Sequence, residues 1–307
     1  MELDLVDVFG CSPLKGNPLG VVRGGEGLSD AQMLELTQWL GFSETTFLLE
    51  PTDPAADYRV RIFYPAGELP FAGHPTLGSA HAWLQAGGQP LSSGRIVQEC
   101  GIGLVEIRPQ DELLSFRAPE LARTGPLEEA DLTEALRVAG VEREAVLEAV
   151  HVANGPEWKL LRLRSADDVL AAEPAANAPA GTDIGLAGPH PAGEALDWEI
   201  RAFFANQREQ IVEDPVTGSF NAGVAVHLFA SGLAEGAYVA AQGRSVGADG
   251  RVHCSRDAEG KVWVGGRVAT IAASASLPLF TRGRPESPPG RFSRGDSRSS
   301  GSTRSSG

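Results

Sequence analysis

The chain has 307 residues, enough for a sizeable core in one large domain or two. It is 42% hydrophobic and 21% charged, as soluble globular proteins are, and lacks the run of about 18 apolar residues that a membrane helix needs. A net charge of −14 disfavours nucleic acid as a partner, because phosphate binding needs a basic surface. The acidic start, Met1-Glu-Leu-Asp4, does not resemble a signal peptide. Cys11, Cys100 and Cys254 lie far apart and are odd in number, offering neither a disulfide framework nor metal-ligand spacing. A reducing cytoplasm is the expected compartment.

In chain order, Asp4–Phe9 alternates as an opening strand, and a loop over 11–18 with the turn signal Asn17-Pro18 leads into the apolar run Leu19–Val22. Ser29 and Gln32 form a capping-box pattern for a helix through Leu40, with Met33, Leu36, Trp39 and Leu40 on one face and Gly41 as its stop. Ser43–Leu49 reads as a strand that contains Glu44, and Tyr58–Phe63 alternates cleanly. A helix is expected over Leu77–Gln85, then paired strands at Arg95–Glu99 and Gly103–Ile107, and another at Leu113–Arg117. The segment from Pro119 to Pro126 is the expected hinge.

Beyond it come a helix over Ala130–Ala139, a short one near Arg143–Ala149, and strands at Val150–Ala153 and Lys159–Leu163. Residues 171–197, rich in Ala, Pro and Gly, read as a loose surface segment. Trp198–Phe204 is a strand, a helix runs to about Gly232, and strands at Tyr238–Gln242, Val252–Ser255 and Lys261–Val264 complete the set. The final 282–307 hold six Arg against one Glu and one Asp among Ser, Gly and Pro, and are expected to be disordered.

Two stretches organise the rest. His74-Pro-Thr-Leu-Gly-Ser79 and Asp214-Pro-Val-Thr-Gly-Ser219 share Pro, Gly and Ser at the same offsets, 140 positions apart, and each precedes an apolar helical run. Such a repeat suggests two similar halves, each contributing a turn that opens a helix. A helix N-terminus holds an anion through its unpaired N–H groups, so two such turns across a cleft would bind a carboxylate. His74 and Asp214 fall at the same position of the repeat. His74 precedes Pro75, which biases its backbone away from helix. Gly78, Ser79, Gly218 and Ser219 are expected as amide donors rather than nucleophiles, since neither turn reads Gly-x-Ser-x-Gly. Glu44, in a largely apolar stretch, is the candidate acid/base, because burial would raise its pKa towards neutrality; on a solvent-facing edge strand it would have no such role. Dinucleotide-binding and Walker glycine motifs and a His/Cys metal cluster are absent from the sequence, and only Lys15, Lys159 and Lys261 could serve pyridoxal chemistry. No cofactor or metal is expected, which leaves cofactor-free acid–base chemistry.

These motifs resemble the phenazine-biosynthesis PhzF-like isomerases. The likeness is carried by Asp7–Phe9, Gly16–Pro18, Gly41–Phe47, Arg61–Phe63, Pro65, Glu68, Gly73–Gly78, Asn154–Pro156, Trp158, Phe203–Phe204, Glu213–Ser219, Gln242–Arg244 and Val262–Gly266. It implies the α+β diaminopimelate-epimerase-like fold, two pseudo-symmetric halves (1–120 and 121–281), each a mixed β-sheet or barrel around a central helix. The active site would lie between them, and the assembly would be a homodimer. It also implies Glu44 as proton shuttle, His74 and Asp214 as orienting or polarising groups, and Gly73, Gly78, Ser79, Gly218 and Ser219 as carboxylate-binding positions. The related epimerases carry two cysteines at these turns; here there are none, which disfavours a two-thiol racemase. Phe220-Asn221 and Gly247-Ala248 depart from the family pattern, and Phe220 is expected to add bulk beside the pocket. The expected function is a cofactor-independent isomerase acting on a small carboxylated substrate. The alternatives are a binding or interaction protein with its cleft blocked by Phe220, and an epimerase or lyase acting on another carboxylate.

Overall fold

The first half of the chain folds as β1 Glu2–Val8, β2 Asn17–Arg23, α1 Asp30–Leu40, β3 Thr45–Leu49, β4 Tyr58–Tyr64, β5 Gly67–Leu69, α2 Gly73–Gln85, β6 Ile96–Cys100, β7 Gly103–Gln110 and β8 Leu113–Arg117. The remainder folds as α3 Glu129–Ala139, β9 Val146–His151, β10 Lys159–Leu163, α4 Ala166–Leu170, β11 Asp183–Pro189, β12 Trp198–Ala205, β13 Ile211–Glu213, α5 Gly218–Ala230, β14 Ala237–Gln242, β15 Gly250–Arg256, β16 Val262–Gly266 and β17 Val268–Ser276. This computed structural model describes residues 1–278, of which Met1–Leu277 form one compact unit. The tail expected to be disordered lies outside the described residues. Among the described residues no helix is long and apolar enough to cross a membrane.

Strand pairing repeats. From β1 to β8 it runs antiparallel β1–β2, parallel β2–β3, antiparallel β3–β4 and β4–β5, parallel β4–β6, then antiparallel β6–β7–β8. The same order recurs from β9 to β16. Parallel neighbours need a crossover, and helices supply it: α1 and α4 at one crossing, α2 and α5 at the other. The two series join through β8–β16, and β17 returns to pair with β1. Helices α2 and α5 are buried without a break over Gly73–Ala80 and Gly218–Ala225, so each sits inside its sheet as a central helix. The architecture is the two-half α+β fold.

Several expectations change. Helix α2 starts at Gly73, four residues before the expected Leu77, so His74 is helical despite preceding proline. Pro75 is tolerated there because its missing N–H falls among those the first turn leaves unpaired. The expected helix near Arg143–Ala149 is a three-residue 3₁₀ turn, Arg143–Ala145, with β9 beginning at Val146. The segment over 171–197 is not loose throughout: it contains β11, five of whose seven residues are buried between β10 and β12. Its two glycines and a proline disguised it, yet Gly185 is where the Phe220 ring fits. Strand β17, rich in Ala and Ser, was likewise not expected. Helix α1 has its capping box and a left-handed Gly41, but Trp39 is 80% exposed; Met33 and Leu36 carry the packing against Phe47 and Phe63.

The repeat places one ion pair in each half. Arg61 on β4 grips Glu68 through two hydrogen bonds of 2.8 and 2.6 Å, and Arg201 on β12 grips Glu213 at 3.0 and 2.7 Å. Burial separates them: the side chains are 23% and 42% exposed in the first pair, 5% and 8% in the second. Glu213→Ala is therefore expected to cost about 3–5 kcal/mol, since it strands a buried guanidinium, and Glu68→Ala about 1 kcal/mol or less. Urea denaturation of both variants checks this, and equal losses would contradict it.

Candidate active site

The two central helices meet end to end. A Cβ added to Gly73 would stand 2.7 Å from the Cα of Gly218, and one added to Gly218 would stand 2.8 Å from the Cα of Gly73 and 2.9 Å from the His74 nitrogen. Only glycine fits at either position. The structural repeat thus pairs Gly73 with Gly218, 145 positions apart, rather than His74 with Asp214 at 140. The extra residues lie in the hairpin between β12 and β13, since Phe63 pairs with Glu68 but Phe203 with Glu213. His74 is matched by Ser219, each the second residue of its helix, and Asp214 lies ahead of α5. The first-turn amides of Gly73, His74, Gly218, Ser219 and Phe220 lie before the i→i−4 ladder begins, so two partial positive charges converge where the helices touch.

Glu44 lies one residue ahead of β3, not within it, and β3 is an interior strand between β2 and β4. Its Oε2 is 3.5 Å from Nε2 of His74, and the side chains are 17% and 5% exposed. Both atoms are buried, and among the described residues neither has a hydrogen-bond partner. Buried polar atoms are rarely left so, and such exceptions cluster where a ligand or a reaction needs them. Burial, aided by the negative charge of Asp214, pushes the Glu44 carboxyl up to about 8. Burial alone takes the His74 imidazole down to about 3. Near neutrality Glu44 therefore holds a proton while His74 is uncharged.

Asp214 is locked in place. Its two oxygens accept from Asn17 Nδ2 at 3.0 Å and Thr217 Oγ1 at 2.6 Å. Gln242 braces the same turn: its Oε1 accepts from the Thr217 amide and Asn221, and its Nε2 donates to the Asp214 carbonyl and Thr217 Oγ1. Burial raises the Asp214 pKa to about 6, opposed by the hydrogen bonds from Thr217 and Asn17. Its charge still acts on Glu44 across the gap between the halves.

The remaining expected positions divide. Ser219, at the head of α5, accepts from the Trp158 indole. Gly78 and Ser79 are a turn and a half inside α2. A Cβ on Gly78 would meet the side chains of Leu19, Val6 and Val8, and the Ser79 hydroxyl donates to Thr46. The helix ladder takes their amides, so these two pack α2 against its sheet instead of facing the helix junction. Phe220 does not enter the cleft. It is fully buried, its ring 5.2 Å from that of Trp158. Asn221 is bonded to Gln242 and the Thr217 carbonyl. Asn17, Trp158, Thr217 and Gln242 were missed as site residues from their own properties. The Asn17-Pro turn was visible, but nothing local indicated that it reaches across to Asp214.

A possible metal-ligand group exists elsewhere: Glu128, Asp131 and His151 hold ligand atoms within 4.8 Å of one another. Arg123 and Lys159 already pair with its carboxylates. The site at the helix junction offers one proton-carrying carboxyl, one neutral imidazole, one carboxylate and paired amide donors, a set suited to proton transfer on an anionic ligand.

Residues 6–274 match the family model described as PhzC-PhzF, phenazine biosynthesis-like protein. Antisense-enhancing sequence 1 of Schizosaccharomyces pombe is 37% identical over 172 residues, covering 54% of this chain and 58% of that protein. The trans-2,3-dihydro-3-hydroxyanthranilate isomerase of Pseudomonas aeruginosa is 30% identical over 287 residues, covering 91% and 97%. A predicted epimerase of Pseudomonas aeruginosa superposes with a TM-score of 0.73 at 26% identity, over 90% of this chain and 99% of that one. The chain belongs to the phenazine-biosynthesis PhzC-PhzF family.

Proposed function

We propose that this protein is a cofactor-independent isomerase that moves a proton on a small carboxylated substrate. The observation that carries this reading is the pair of buried, unpartnered atoms, Glu44 Oε2 and His74 Nε2, 3.5 Å apart beside the junction of two helix N-termini. The substrate carboxylate binds the converging amides of Gly73, His74, Gly218 and Ser219. Glu44, as carboxylate, removes a proton from a carbon activated by that group and returns it to another carbon on the same face. His74, neutral, hydrogen-bonds the substrate and fixes which carbon faces Glu44. Burial, aided by the charge of Asp214, keeps the Glu44 pKa high, so the carboxylate is a stronger base towards a carbon-bound proton, and proximity lets one base serve both carbons. The relatives named as isomerases of trans-2,3-dihydro-3-hydroxyanthranilate make cyclic, ring-activated carboxylates the first substrates to test.

The pH profile tests this. Proton removal needs ionised Glu44, whose pKa lies near 8, so kcat/KM is expected to rise about tenfold per pH unit up to that point and then level off. An inflection at the ordinary carboxyl value of 4.5 would remove Glu44 from the role.

A further inference from the structure

The geometry points to Trp158 as a positioning residue that fixes the Ser219 hydroxyl, filling one of its lone pairs and turning its proton towards an acceptor atom of the substrate at the head of α5. This rests on the proposed function and adds a specificity element to it. A serine hydroxyl has one proton to donate and two lone pairs to accept, and an indole N–H can only donate. Trp158 Nε1 donates to Ser219 Oγ at 3.0 Å, and Trp158 is only 4% exposed. One lone pair is thereby filled, and the hydroxyl proton is turned away from the indole.

The loop that carries Trp158 is fixed from both ends. Asn154 Nδ2 donates to the Ser219 carbonyl at 2.8 Å, and the Val152 amide donates to the Trp158 carbonyl at 2.9 Å. The Trp158 ring packs on Phe220, the residue after Ser219, so helix and loop hold one another in register. Ser219 occupies in α5 the place of His74 in α2, on the far side of the Gly73–Gly218 contact. A ligand lying across that contact meets a neutral imidazole at one end and a pre-aimed hydroxyl proton at the other. Oriented donors of this kind discriminate strongly, because a mismatched ligand leaves a buried polar group unpaired.

A double-mutant cycle on the full chain tests the assignment, with the fluorescent carboxylate 2-aminobenzoate as probe. Ser219→Ala and Trp158→Phe are each expected to weaken its binding about tenfold, and the double variant no further, because both remove one oriented hydrogen bond. The Trp158 indole proton signal in ¹H–¹⁵N spectra is expected to move upfield in Ser219→Ala. Losses that multiply to about a hundredfold would reduce Trp158 to packing and overturn the assignment. So would unchanged binding in Trp158→Phe, an unmoved indole signal, or a wild-type protein that does not bind the probe. Glu44→Gln separates this from the proposed function: if it retained proton exchange, the catalytic reading would fail while the Trp158–Ser219 coupling stood.

Discussion

Glu44→Gln is expected to lower proton exchange by about 10³-fold or more while leaving the fold intact, since a positioned general acid/base supplies about 10²–10⁴-fold and here one group serves both transfers. Gln fills the same volume and keeps polar contact with His74 but cannot carry the proton. The same substitution is expected to stabilise the protein at alkaline pH. Below the ordinary carboxyl value of 4.5 both the folded and unfolded chains hold the Glu44 proton, and the wild type carries no penalty. Between 4.5 and about 8 the unfolded chain ionises while the folded one keeps its proton, so wild-type stability falls as pH rises, and above about 8 the loss is complete. The Tm difference in favour of Glu44→Gln should therefore grow from pH 4.5 to 8 and then stay level. A difference that shrank over this range would mean that the carboxyl is not held proton-bound by burial.

Much of this site was legible in the sequence because its residues sit in strong local patterns. The capping box of α1, the alternation of β4 and the two glycine-rich turns were readable. So were Glu44, His74 and Asp214 as candidates. What was not legible depended on tertiary packing. The overlay of the two turns on Pro, Gly and Ser gave a spacing of 140, whereas the helices align on Gly73 and Gly218, because backbone contact between them fixes the register and not side-chain likeness. That shift made Gly78 and Ser79 look like ligand-facing residues. Strand β11, with its small residues, resembles a loop until Phe220 and the strands on both sides are in place. Phe220 itself looked like an obstruction because a sequence does not say on which side of a helix its core lies.

The second large effect is expected at the contact between the helices. Gly73→Ala would set a methyl group 2.7 Å from the Gly218 Cα, 2.8 Å from its carbonyl carbon and 3.0 Å from the Phe116 ring. Backbone cannot move aside as a side-chain tip can, so the helix ends must part. Overpacking of this kind costs about 1–3 kcal/mol, and more where backbone is struck. Because the same contact brings Glu44 and His74 to the head of α5, activity should fall with stability. Gly27→Ala, at an exposed position with no atom within 4 Å, is the control and is expected to be neutral. Denaturant midpoints and exchange rates for the two variants check this. A Gly73→Ala protein as stable and active as the control would show that the helix ends are not in contact in solution.

The central claim, that a single carboxyl beside two helix N-termini moves a carbon-bound proton, is tested most directly by NMR in D₂O. Wild type and Glu44→Gln would be incubated with trans-2,3-dihydro-3-hydroxyanthranilate and a panel of cyclic and acyclic carboxylates. The account predicts deuterium at a carbon conjugated to the carboxylate with wild type alone, entering one face of the substrate. Deuterium appearing equally with Glu44→Gln, or on neither protein across the panel, would contradict it.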